Sequence, residues 1–354
     1  MIKDQKSDLR KNNHQISLTS LTAMQYMITR KQVIKMFKLV ARRFIILIPQ
    51  LIILSFIVFF LSETIRIVTW TGEGGVGMAN AFIVNIELST LLSRYWSWLS
   101  EIVTTGNLGW SSRYRAPVME VIGMRLPNTL RLSLFTLLLI YGIGIPLGII
   151  SGRYPGTRKD QAIQVITQIG ASFPSFTLAI LLLLFFGFQF RWFPTGGSLS
   201  PGISRAAGFI PYHMGRLHHL MLPALSLAII QLIAPMKYLR SDIIDNEQQE
   251  FVALARAKGA SEKHLFKKHI FKNSLSSLIG SFPIQLATII TGSIIIESIF
   301  IFPGIGDLFY SAFARSDLDV VSSSILVFGI LILLGAFISD ILLIALDPRI
   351  KIEE

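Results

Sequence analysis

Two carboxylates, Glu297 and Asp340, stand inside long apolar runs, where an unpaired charge is costly to bury. A carboxylate so placed either faces a polar path or a partner subunit, or spends its charge on a hydrogen bond to a neighbouring helix. Glu297 lies nearer the outer face of a membrane and Asp340 nearer the inner, so the two are not expected to pair. His213, His218 and His219 have metal-binding chemistry, but no carboxylate lies near them in sequence. Adjacent histidines beside an apolar run read as polar anchors, so no metal site is expected. The chain has no cysteine, which excludes disulfides, thiolate ligands and a cysteine nucleophile. Neither G-x-x-x-x-G-K-[ST] nor H-E-x-x-H occurs, and no catalytic residue is named.

The elements that hold these groups are membrane spans. Of 354 residues, 52% are hydrophobic and only 15% charged, with a mean hydropathy of +0.58, which marks a polytopic membrane protein. Crossing a ~30 Å hydrocarbon core takes about 20 apolar residues. Runs near 44–62, 130–152, 163–188, 219–238, 279–302 and 322–346 meet that length, predicting an all-α protein of six spans. The net charge of +12 is uneven. Arg42 and Arg43 precede the first run, Arg153, Arg158 and Lys159 follow the second, and a lysine-rich stretch follows the fourth. These basic segments alternate as six spans require, placing both termini in the cytoplasm. The charge is thus a topology signal.

The expected organisation is a basic cytoplasmic extension over 1–43, a membrane domain over 44–346 and a cytoplasmic tail over 347–354. Within the domain, 63–129 forms a long outer segment and 239–278 a cytoplasmic loop. Residues 18–43 read as an amphipathic surface helix or as a basic flank that fixes topology. In the third run, Ser172-Phe173-Pro174-Ser175-Phe176 predicts a bend, with Ser172 and Ser175 as candidates to line a path. Tyr95, Trp96, Trp98 and Trp110 read as an interfacial aromatic belt.

Residues 250–273, EFVALARAKGASEKHLFKKHIFKN, form two helix-like runs joined at Lys258-Gly259-Ala260-Ser261. Gly259 suits a left-handed helix end and Ser261 an N-cap. Ala253, Ala255 and Ala257 leave the first helix thin, while Phe251, Leu254, Leu265 and Phe266 offer apolar anchors. A DNA-reading role needs a domain free to reach a groove, and this loop is tethered at both ends, so no nucleic-acid partner is expected. A pump built from a chain without a nucleotide site needs a hydrolysing partner, for which a rigid helix–Gly–helix unit is a suitable handle.

Ala253-Leu254-Ala255-Arg256-Ala257-Lys258-Gly259, followed by Lys268-His269 and Lys272-Asn273, resembles the coupling loop of ABC-importer permeases, most of all the dipeptide/oligopeptide/nickel branch. Further segments are similar to that family in the same order. They are Tyr95-Trp96-Ser97-Trp98-Leu99, Gly106-Asn107-Leu108-Gly109, Arg125-Leu126-Pro127-Asn128-Thr129-Leu130 and His219-Leu220-Met221-Leu222-Pro223-Ala224. Glu297-Ser298-Ile299-Phe300 with Pro303-Gly304-Ile305-Gly306, then Asp340 and Leu346-Asp347-Pro348-Arg349, complete the series. Residues 71–94 have no clear counterpart.

The resemblance implies a type I ABC-importer permease fold in a bacterial cytoplasmic membrane, surrounded by membrane lipid. It implies a homologous second permease subunit, two cytoplasmic ATPase subunits, an extracytoplasmic solute-binding protein and a peptide substrate. ATP and Mg would be held by the ATPases, with no cofactor on this chain. The coupling residues implied are Glu250, Phe251, Leu254, Ala255, Arg256, Ala257, Lys258, Gly259 and His269. Glu297, Asp340, Ser172 and Ser175 would serve the path or a subunit contact. A nickel or metal-chelate importer is the alternative within the family. A stand-alone carrier or channel is the alternative outside it.

Overall fold

The computed structural model describes residues 40–64 and 88–346. The extension before residue 40, the stretch 65–87 and the tail 347–354 lie outside the described residues, and with them most of the expected amphipathic run and the Asp347-Pro348-Arg349 close. The chain divides at Gln50 into two units, of which the first is described only over the opening turns of α1.

Among the described residues four helices are long and apolar enough to cross a membrane: α1 (Val40–Thr64), α3 (Val118–Arg153), α11 (Phe282–Ile299) and α13 (Leu318–Leu346, apolar over Leu318–Leu342). The other two expected spans are broken. The third is α4 (Arg158–Ala171) and α5 (Ser175–Leu182, extended by a π-type turn to Gln189), meeting at 96°. A continuous helix over 163–188 is therefore not formed. Pro174 lacks an N–H and disfavours helical backbone at Phe173, so α4 ends and α5 starts anew. The fourth is α6 (Phe209–Gln231) and α7 (Ile233–Glu247), bent by 41°. There Pro235 removes the donor that would meet the Gln231 carbonyl.

A helix of 36 residues is about 54 Å long, well beyond a ~30 Å core, so α3 begins far ahead of the expected residue 130. Before it lie α2 (Leu88–Thr105) and a two-residue hairpin, β1 (Trp110–Ser111) with β2 (Ala116–Pro117), paired Trp110 to Pro117 and Ser111 to Ala116. Ser111 Oγ donates to Asp317 Oδ2 at 2.7 Å and Ser323 Oγ to the Leu108 carbonyl at 3.1 Å, docking the hairpin on the start of α13. Tyr95, buried on α2, packs edge-on against Phe56 and shares a hydrogen bond with Ser55 of α1 at 2.8 Å, so it serves packing, whereas Trp96 and Trp110 are exposed.

Glycine brings α3 and α7 close together. Gly144, Gly148 and Gly152 recur every four residues and so share one face of α3. A Cβ on Gly148 would stand 3.0 Å from the Met236 carbonyl oxygen, and one on Gly152 would stand 2.9 Å from Ile243 Cβ. Absent side chains let α3 and α7 run nearly backbone to backbone.

Candidate functional site

The loop after α7 is a built structure. α8 (Glu250–Ala257) follows α7 after two residues, and Lys258–Ser261 turns the chain into α9 (Glu262–Leu265), a π-type turn (Phe266–Ile270) and α10 (Phe271–Gly280). Gly259 adopts φ +82°, the left-handed conformation that favours glycine. Its N–H donates to the Arg256 carbonyl at 3.0 Å and the Ala260 N–H to the Ala255 carbonyl at 3.2 Å, a Schellman closure. Ser261 occupies the N-cap of α9, but its side chain makes no capping bond.

One residue fastens α8. Val252 is fully buried against Leu239 and Ile243 of α7, Ile270 and Leu278. Phe251 and Leu254 are 39% and 59% exposed, and with exposed Lys258 and half-buried Ala255 they line one helical edge. Glu250, Arg256, Ala257 and Gly259 are also exposed, and His269 is half-buried with its ring 6.4 Å from that of Phe251. All nine predicted loop residues thus sit in one small unit. Leu265 is instead fully buried.

Ion pairs brace this unit. Arg256 grips Glu262 with both ends of its guanidinium, at 2.7 and 3.1 Å, across the Gly259 turn. The Arg256 guanidinium holds the Glu262 carboxyl below its usual range. Deeper, Arg240 of α7 donates to both oxygens of Asp160 at 3.0 and 2.9 Å. Asp160 is 3% exposed and also accepts from Ser151 of α3 and from the Gly156 N–H at 2.8 Å. α3, α4 and α7 are therefore pinned together beside the loop. Val252, Glu262 and Asp160 are not among the residues the sequence singles out, and Arg240 reads there only as a topology charge. The signal for Glu262 was an opposite charge six residues from Arg256 across a glycine turn.

Glu297 and Asp340 lie on different helices, α11 and α13. Glu297 is fully buried, and its carboxylate accepts from Thr129 Oγ1 at 2.9 Å and from the N–H groups of Gly306 and Asp307 at 2.7 and 3.1 Å. It caps the N-terminus of α12 (Ile305–Phe313), where unpaired N–H groups and the helix dipole favour an anion. A Cβ on Gly304 would run into the Glu297 carboxyl group. Glu297 therefore makes its hydrogen bonds inside the chain. Asn128 donates to the Pro303 carbonyl at 2.8 Å and Arg125 pairs with Asp307 at 3.3 Å, so Arg125–Thr129 docks on Glu297–Asp307. Burial pushes the Asp307 carboxyl up, against the pull of Arg125.

Asp340 is half-buried on α13. Ser172 is exposed at the end of α4, with its hydroxyl on the Gln168 carbonyl, and Ser175 is half-buried at the start of α5. Both flank the 96° break. The histidines tie down the segment before α6. His219 Nδ1 donates to the Gly196 carbonyl at 3.0 Å, leaving Nε2 to accept from Ser200, and His218 Nε2 donates to the Trp192 carbonyl at 2.7 Å. Among the described residues no group of three or more His, Asp or Glu side chains converges to hold a metal.

Residues 144–352 match the family described as binding-protein-dependent transport system inner membrane component. The oligopeptide transport system permease protein AppB of Bacillus subtilis (strain 168) is 34% identical over 259 residues, covering 73% of this chain and 80% of that protein. The dipeptide transport system permease protein DppB of Lactococcus lactis subsp. cremoris (strain MG1363) is 30% identical over 249 residues, covering 70% and 77%. Two crystal forms of inward-facing MetNI methionine ABC transporter match with TM-scores of 0.50 and 0.52 at 16% and 17% identity. Each match covers 65% of this chain and 97% of that one, a likeness of fold.

Proposed function

The chain belongs to the binding-protein-dependent transport system inner membrane component family, and from that premise we propose that it is one permease subunit of an ATP-driven peptide importer. The names of its oligopeptide and dipeptide permease relatives support the peptide as cargo. It is a multi-pass membrane protein whose termini and 239–278 loop face the cytoplasm. A second permease completes the path, two ATPase subunits dock inside with ATP and Mg, and a binding protein delivers solute outside.

The observation that carries this reading is the exposed edge of α8, fixed to the bundle by buried Val252. A partner seated on Phe251, Leu254 and Ala255 would push a lever that cannot slip. α8 moves with α7, α7 with α3 through the glycine face, and both with α4 through Arg240 and Asp160. Such a body can rock between inward-open and outward-open arrangements as the ATPases close and part.

The test is reconstitution of the complete importer in liposomes with its binding protein, measuring peptide uptake and ATP hydrolysis together. Ala255→Asp should leave ATP hydrolysis by the ATPase subunits in place and abolish coupled uptake. Uptake unchanged by that substitution would remove α8 from the coupling path, and uptake by this chain alone under an ion gradient would make it a carrier.

A further inference from the structure

Three arginines gather at the end of the bundle away from the loop and pair with no carboxylate among the described residues. Arg131 lies 22 residues before Arg153, roughly 33 Å along α3. With Arg205, Tyr212, Arg216, Phe209 and Leu217 it lines an open cleft of about 650 Å³. Its floor is built. The Asn128 side-chain carbonyl accepts from Arg131 Nη1 at 3.0 Å and from Arg216 Nη2 at 2.6 Å, while its NH₂ is spent on the Pro303 carbonyl. Arg216 also donates to the Tyr212 hydroxyl at 2.7 Å, and the Arg216 and Arg205 guanidiniums lie 5.4 and 5.9 Å from the Tyr212 ring.

One neutral amide oxygen thus holds two cations, with a third across the same phenol ring. Like charges so close repel unless an anion enters between them, and each guanidinium has five N–H donors, more than these contacts use. Phe209 and Leu217, 78% and 37% exposed, form an apolar wall beside the charge. A bare anion needs no such wall. A carboxylate joined to an apolar side chain uses both, and the volume suits a small peptide.

We propose that this cleft recognises the terminal α-carboxylate of the transported peptide as it leaves the binding protein, a deepening that rests on the peptide-importer reading. Arg131 and Arg205 supply charge-assisted hydrogen bonds to the carboxylate, Asn128 and Tyr212 hold the guanidiniums in position, and the apolar wall takes the last side chain.

The experiment uses the complete importer in phosphatidylcholine liposomes. A leucine-rich tetrapeptide and its C-terminal amide are each supplied on saturated binding protein. Arg131→Gln and Arg205→Gln should each narrow the acid-to-amide ratio of transport efficiency about tenfold, the scale of one charge-assisted hydrogen bond. Arg205→Lys should retain most of it. Variants that slow both peptides equally, or neither, would overturn the proposal while leaving peptide import intact. A defect that appears only in vesicles containing phosphatidylglycerol would assign the cleft to a lipid phosphate and also overturn it. If the unaltered importer moves neither peptide, the peptide reading itself fails.

Discussion

Thr129 donates to Glu297 at 2.9 Å and accepts from the Ile305 N–H at 2.7 Å, so one hydroxyl of α3 joins a carboxylate of α11 to the N-terminus of α12. The buried carboxylate answers two N–H groups and a hydroxyl at once. That satisfies the polar ends a short helix leaves open between two spans.

Glu297→Ala would leave those donors buried without an acceptor. The expected loss is at least ~3 kcal/mol, with about 1–2 kcal/mol for Thr129→Val. Thermal unfolding of the purified complex checks this, and Glu297→Gln, which keeps one acceptor, should fall between. Unchanged unfolding with lost uptake would return Glu297 to the solute path.

At Gly259 the cost is conformational, because a Cβ there would meet nothing within 4 Å. Gly259→Val should cost ~1–2 kcal/mol of local stability by forcing a branched side chain into the left-handed region, and Gly259→Asn much less. The ratio of ATP hydrolysed to peptide taken up should rise sharply for valine and little for asparagine. Equal ratios would separate the turn's geometry from coupling.

Gly152 faces the opposite constraint. Gly152→Leu drives a side chain into Ile243 and the Arg240 carbonyl and should destabilise by ~1–3 kcal/mol, seen as a lower unfolding temperature. Gly142, on the same helix with open space around it, should accept leucine with little change.

The Arg256–Glu262 clamp sets an expectation for pH. Its carboxyl is held below the usual range, so the clamp's contribution is present above the ordinary carboxylate pKa and fades only as pH falls through the lowered one. Coupling should therefore be flat from about pH 6 to 8 as far as this pair is concerned. Arg256→Glu should weaken coupling, and the double exchange Arg256→Glu with Glu262→Arg should restore part of it. No recovery in the double variant would mean that Arg256 serves the ATPase contact directly.

Much of this was legible in order along the chain. Apolar runs marked the spans because lipid demands length and hydrophobicity, and Pro174 and Gly259 marked a break and a helix end because their backbones permit little else. Phe251 and Leu254 could be named as loop residues, yet nothing local told that they stay exposed while Val252 between them is buried. That follows from where α7, Ile270 and Leu278 stand. The pairing of Asp160 with Arg240 spans 80 residues, and that of Thr129 with Glu297 spans 168. No periodicity records such contacts.

The sequence by itself determined a membrane protein of apolar helices with a rigid polar loop, since composition, proline and glycine act through the chain's immediate neighbours. Only the tertiary structure decided that a buried carboxylate caps a helix, that glycines weld α3 to α7, and that three arginines face one cleft. Those outcomes depend on which helices meet, and helices meet through surfaces assembled from residues far apart in the chain.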